Sequence, residues 1–115
     1  MPIVNIESNH PTNHEQRKEI LAALRRVGSE VLSLPENAFT LLWKTHKNEG
    51  LFATTVIEVS LLEGRSRTVK RDFMQAMSDA LAFAGISPEQ SAILLTEVQP
   101  ENWFHGGRPL AWQQT

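Results

Sequence analysis

Residues 54–66 read Thr54-Thr-Val-Ile-Glu-Val-Ser-Leu-Leu-Glu-Gly-Arg-Ser66. The first nine are rich in β-branched and leucine side chains and predict a strand over Thr54–Leu62. Gly64 then punctuates the chain, and Ser66 supplies a hydroxyl able to cap a helix. Beyond it Phe73, Met77, Ala80 and Ala84 recur at helical spacing. Pro88 follows the helix, and Ser91-Ala-Ile-Leu-Leu-Thr-Glu-Val98 reads as a further strand. The stretch is therefore the first half of a β-α-β unit.

Working outward, the amino-terminal half repeats the pattern. Pro2–Ser8 predicts a strand, with proline at the first position, where no ladder donor is lost. Thr12-Asn-His-Glu15 fits a capping box. Ile20, Leu24, Val27 and Val31 keep the helical period, which predicts a helix over about 13–32. Phe39-Thr-Leu-Leu-Trp43 is a short apolar strand, and Asn48, Glu49 and Gly50 make a polar break between the halves. Pro35-Glu36 recurs as Pro88-Glu89, an offset of 53 (88 − 35). The same offset carries the four apolar helix positions onto Phe73, Met77, Ala80 and Ala84, and Leu41-Leu42 onto Leu94-Leu95, without a gap. Two copies of one unit are expected, over about 2–47 and 54–107 of a single domain spanning 1–115. The fold class that follows is α+β: a duplicated β-α-β with a four-stranded sheet and two helices on one face. Strands within each unit should be parallel, since a helix crosses between them. The face without helices, expected to carry Val4, Ile6 or their neighbours, would be left bare and would invite association.

The 115 residues suffice for one buried core, and the absence of cysteine excludes disulfide scaffolds, zinc knuckles and thiol nucleophiles. Eleven Lys and Arg against thirteen Asp and Glu leave no basic footprint for nucleic acid. No apolar run reaches a membrane span, and MPIVNIESNH lacks the charge and apolar pattern of a signal peptide, so a cytoplasmic location and no membrane partner are expected. His10, His14, His46 and His105 show no metal-ligand spacing. Lys70, Arg71 and Asp72 read as a solvated helix face.

Three features carry possible chemistry. Met1-Pro2 is a pair from which the initiator is normally removed, leaving a secondary amine at the amino terminus. An α-amino group titrates near 8, and burial or nearby positive charge lowers that value. A neutral amine can act as general base or as nucleophile; an inert Met-Pro start is the commoner outcome for such a pair. Arg65 stands at a helix amino terminus, where its planar fork suits a carboxylate, or it is simply a solvated arginine. In Glu97-Val-Gln-Pro-Glu-Asn-Trp-Phe-His-Gly-Gly107, two aromatics precede a glycine pair. They form either an apolar wall beside a close backbone approach or core aromatics before a β-turn.

In this order, Pro2 with its strand, then LLEGRS and a helix, then TEV…NWFHGG, the chain resembles the tautomerase superfamily over about residues 2–110. That group includes 4-oxalocrotonate tautomerase, malonate semialdehyde decarboxylase and cis-3-chloroacrylic acid dehalogenase. The resemblance implies a duplicated β-α-β chain, a homotrimer, no cofactor, and a small carboxylate substrate. It implies Pro2 as general base, Arg65 as carboxylate anchor, and Trp103 and Phe104 as the aromatic wall. Departures narrow the chemistry. A second arginine is missing at Thr40 and Ala92 and from the Leu62-Glu63 stretch, and Ala38 stands where an assisting acid belongs. Enol–keto proton transfer is thus expected over hydration, decarboxylation or dehalogenation. Those alternatives would draw on Glu63, Glu97 or Glu101. A non-catalytic trimeric binder is the other alternative. Arg108 could supply a second anion contact across a subunit boundary, Arg67 could stand in for the missing arginine, and His105 is the histidine to watch, lying in the aromatic–glycine segment.

Overall fold

The computed structural model describes residues 2–47 and 54–113; Met1 and the polar break at Asn48, Glu49 and Gly50 lie outside the described residues. β1 (Ile3–Ser8) leads into α1 (His14–Leu32) and β2 (Thr40–Thr45), and β3 (Thr55–Leu62), α2 (Arg67–Phe83) and β4 (Ser91–Val98) repeat the pattern. A hairpin of β5 (Phe104–His105) and β6 (Arg108–Pro109) precedes a short α3 (Leu110–Gln113).

The sheet order is β2-β1-β3-β4. The outer pairs are parallel and the central β1–β3 pair is antiparallel. Asn5 lies directly opposite Glu58, and the two are also equivalent in the repeat (58 − 5 = 53). A pseudo-twofold axis therefore passes between them. Strand alternation buries Val4, Ile6, Ile57, Val59 and Leu61 in one core with Ile20 and Leu24 of α1 and Phe73, Met77 and Leu81 of α2. All five strand residues share a face, so both helices lie on that face. Val4 and Ile6 thus sit beneath the helices rather than on the bare side. The uncovered face carries the cross-strand row Leu42, Asn5, Glu58 and Leu94. Its two leucines are 53% and 54% exposed.

The inner helix stripes are rotated from the sequence expectation. Ile20, Leu24, Gly28 and Leu32 face inward on α1, and Phe73, Met77 and Leu81 on α2; Val27, Val31 and Ala80 are half-buried and Ala84 is exposed. Gly28 explains the rotation on α1. A Cβ there would come within 2.9 Å of Cε1 of Phe39 and 3.1 Å of Cε1 of Phe73, so only glycine admits both rings. Gly28→Leu is expected to overpack this point and cost about 1–3 kcal/mol despite better helix propensity. Urea unfolding of the two chains checks it, and an unchanged midpoint would contradict the packing described.

The capping box is one residue later than expected. Asn13 Oδ1 accepts from the Gln16 backbone N–H, and Gln16 Oε1 accepts from the Asn13 N–H, both at 2.8 Å. Thr12 instead offers its carbonyl to Arg17 Nη1 at 2.9 Å. Ser66 caps α2 as expected, accepting from the Val69 N–H at 3.1 Å.

The repeat register slips by one residue at the helix ends. The left-handed residue that closes each helix is Ser33 in one unit and Gly85 in the other, 52 apart (85 − 33). Leu34 N–H donates to the Ser29 carbonyl, and Ile86 N–H to Leu81, again 52 apart. From there the equivalences run Leu41 to Ile93 and Leu42 to Leu94, because Val4 pairs with Leu41 and Ile57 with Ile93. Pro88 therefore occupies the place of Glu36, not of Pro35. Glycine takes the left-handed conformation without a Cβ clash, which lets α2 close a residue sooner.

Candidate active site

Pro2 precedes the first β1 ladder position, and its ring is buried. Its carbonyl accepts from the Thr40 N–H at 3.0 Å. Because Ile3 pairs with Ser60, Pro2 falls level with Leu61 at the end of β3. The chain leaves β3 there. Glu63 N–H continues the ladder to the Val98 carbonyl at 3.0 Å, and Gly64 turns the backbone at φ 121°. L side chains avoid that conformation. Arg65 folds back, half-buried, with Nη1 donating to the Leu62 carbonyl at 3.3 Å. Pro2 and the Arg65 turn therefore share one end of the sheet.

Glu97 lies on β4 opposite Leu61, on the helix-facing side of the strand. Lys70 Nζ of α2 reaches its Oε1 at 2.7 Å, so Lys70 is a half-buried partner rather than part of a solvated face. Arg71 and Asp72 do form an exposed pair, at 3.4 Å. The Lys70 hydrogen bond holds the Glu97 carboxyl below its ordinary value of 4.5, aided by the Gly64 N–H and the nearby Arg65 charge and opposed by burial. A depressed folded-state value means the pairing adds stability above the unfolded-chain value and loses it as pH falls through the folded one. A side-chain carboxyl titration by NMR should find Glu97 below 4.5 and, in Lys70→Met, returned toward it. No change on removing Lys70 would contradict the assignment.

On the uncovered face, Ile3, Ser60, Val98, Asn102, Trp103 and Phe104 line a cavity of about 230 Å³ at this same end of the sheet. Trp103 is 8% exposed; its carbonyl accepts from the Leu110 N–H at 2.8 Å, which fixes the segment against the sheet. Phe104 is 67% exposed at the rim. The two aromatics thus meet around a cavity whose floor is the residue next to Pro2, while Arg65 is not in its wall. Ser60, Val98 and Asn102 were not singled out from sequence. Strand alternation could have shown Ser60 on the same face as Ile3, but Asn102 arrives through a turn that no periodicity encodes. Gly106 and Gly107, at φ 65° and 83°, form the β5–β6 hairpin turn. The glycine pair therefore makes the hairpin turn. His105 and Arg108 face each other across that hairpin. Arg67 opens α2, exposed; Glu63 and Glu101 are exposed in their turns. A larger hollow of about 490 Å³ between α1 and α2, beside Phe83, contains none of the candidate residues.

The pseudo-twofold gives no second copy of this arrangement. The repeat puts Thr55 where Pro2 stands and Thr12 where Arg65 stands (both offset 53). Thr55 is buried with its hydroxyl bonded to that of Ser8 at 2.9 Å.

A family model described as "Tautomerase enzyme" matches residues 50–106. No curated protein matches by sequence. Among solved structures, R7 fused 4-OT, an asymmetric trimer, superposes with TM-score 0.89 at 14% identity, covering 98% of this chain and 99% of that one. FG41 malonate semialdehyde decarboxylase, inhibited by 3-bromopropiolate, gives 0.79 at 22% identity, covering 97% and 95%. Pt0534 inactivated by 2-oxo-3-pentynoate gives 0.86 at 18%, covering 98% and 99%. Among the described residues no helix is long and apolar enough to cross a membrane. Residues 50–106 thus carry the tautomerase family's sequence pattern, and the whole chain has the duplicated β-α-β fold of these neighbours.

Proposed function

We propose that the protein is a cofactor-independent keto–enol tautomerase of small 2-oxo or enol carboxylates, with Pro2 as general base after loss of Met1. The observation that supports this best is the strand register. It puts Pro2, the Arg65 turn and the aromatic-walled cavity at one end of the sheet. Arg65 anchors the substrate carboxylate, and Trp103 and Phe104 exclude water from the amine, which favours its neutral form. In the enol-to-keto direction the Pro2 nitrogen takes the hydroxyl proton. The O–H electron pair becomes the carbonyl bond, and the carbon–carbon π pair accepts the proton back from the secondary ammonium. The amine ends neutral, as it began. The small acetylenic carboxylates that act on two of the structural neighbours are consistent with this substrate class.

The chain is proposed to work as a cytoplasmic homotrimer. The bare sheet face with Leu42 and Leu94 supports association, as does the trimeric fused 4-OT neighbour. Decarboxylase or hydratase chemistry is the second reading, favoured by the likeness to malonate semialdehyde decarboxylase. It requires a protonated Pro2 at neutral pH. Intact mass establishes whether Met1 is removed, and an NMR titration of the Pro2 amine separates the two readings. A value well below 8 supports the base and a value above 8 the acid. Retention of Met1 would remove both.

A further inference from the structure

We infer that Ser60 and Asn102 are the oxygen-binding pair of the site: their side chains donate hydrogen bonds to the substrate oxygen that carries the enolate charge. The inference rests on the proposed tautomerase reading and supplies a group which that reading lacks. Loss of the enol hydroxyl proton to Pro2 leaves a negative oxygen until the neighbouring carbon takes the proton back. Arg65 is assigned to the carboxylate and is not in the cavity wall; its Nη1 donates to the Leu62 carbonyl at 3.3 Å. Thr40 and Ala92 stand where the resemblance would put a second arginine. The charge on that oxygen therefore develops with no cation assigned to it, and fixed neutral donors are the other means of stabilising it.

The cavity beside Ile3 holds such donors. Ile3, Val98, Trp103 and Phe104 make its apolar and aromatic lining, and Ser60 and Asn102 add a hydroxyl and a carboxamide. Val59 and Leu61 are buried beneath the helices, so alternation puts Ser60 on the uncovered face. There Ser60 lies directly opposite Ile3, the neighbour of Pro2, at a cross-strand Cα spacing of about 5 Å. Asn102 ends the turn Pro100–Asn102, which backbone groups close without a side-chain cap. Its N–H donates to the Gln99 carbonyl at 2.8 Å, and the Trp103 N–H donates to Pro100 at 3.3 Å. The carboxamide is thus not used by the turn. Among the described residues, neither it nor the Ser60 hydroxyl bonds to another group of the chain. The buried Trp103, next along, fixes the segment, so both donors are in place before substrate arrives. Among the described residues no carboxylate lines the cavity to oppose the developing charge.

The experiment uses the full chain with two probes, oxalate and propionate, and reads binding by NMR. Oxalate places a negative oxygen beside its first carboxylate, as the enolate does; propionate has the carboxylate and no such oxygen. Asn102→Ala and Ser60→Ala should each weaken oxalate by about tenfold, the scale of one lost hydrogen bond to a charged group, and leave propionate within about twofold. Asn102→Asp keeps the size of the side chain but replaces its donors by a carboxylate, and should weaken oxalate further. In turnover of an enol carboxylate, Asn102→Ala should lower kcat by about 10–100-fold. Parental oxalate affinity in both alanine variants overturns the inference. Equal losses for oxalate and propionate also overturn it, since a merely structural role would affect both. If Arg65→Ala binds both probes as the parent does, the anchor assignment fails, and the pair is still judged by the difference between the probes. If the variants lose their preference for oxalate as described but the parent turns over no enol carboxylate, the tautomerase reading fails and the oxygen-binding pair stands.

Discussion

Replacing Pro2 by alanine is expected to slow enol–keto conversion by about 10²–10⁴-fold, the usual contribution of a positioned general base. The effect should fall on kcat, because the carboxylate still meets Arg65. The variant should fold as the parent does, since the carbonyl of residue 2 still accepts from Thr40. Alanine after Met1 also permits initiator removal, so the variant keeps a free amine. It is a primary amine on a more mobile backbone, without the ring that holds its nitrogen in place. A companion chain with one extra residue ahead of Pro2 should be at least as slow, because the nitrogen then becomes a tertiary amide with no basic lone pair. Rates are read from ultraviolet absorbance of the enol, and folding from circular dichroism. A Pro2→Ala chain that works at the parental rate would rule out the proposed base.

Phe73→Ala is expected to destabilise the fold by about 3–5 kcal/mol. Phe73 is fully buried, packed where α2 meets α1 beside Gly28 and Phe39. The glycine that admits the ring cannot fill the space it leaves, so the cavity would persist instead of collapsing. Small domains have about 5–15 kcal/mol in total, so the loss is a large fraction of the reserve. With a urea dependence of about 2 kcal/mol per molar, the midpoint should fall by roughly 2 M. A shift of under about 0.5 M would show that this position does not carry the core as described.

The elements were legible in the chain because their signals are local. β3 and β4 follow from β-prone runs, α2 from Ser66 and a 3.6-residue period, and the parallel pairing within each unit from the helix that crosses between its strands. The details that escaped depend on neighbours distant in sequence. Gly28 carries no apolar signal, yet it is innermost on α1 because two rings from other elements converge on it. Pro35 and Pro88 look equivalent as letters but are a residue apart in space, since α2 closes early at Gly85. Lys70 looked solvated because its partner Glu97 lies 27 residues on.

The candidate site divides in the same way. Pro2, Arg65, Trp103 and Phe104 could be singled out by residue type and order, because a terminal amine, a guanidinium and aromatic rings have properties that do not depend on the fold. The sequence by itself also determined that threonines, Thr55 and Thr12, stand 53 residues from Pro2 and Arg65 in the other unit. Only the tertiary structure decided that Ile3, Ser60, Val98 and Asn102 build the cavity with the aromatics, that Arg65 stands outside its wall, and that Lys70 reaches Glu97. Those are distances between segments, set by strand register and by where each helix stops. A one-residue slip there leaves the composition of the chain unchanged and moves every contact across the sheet.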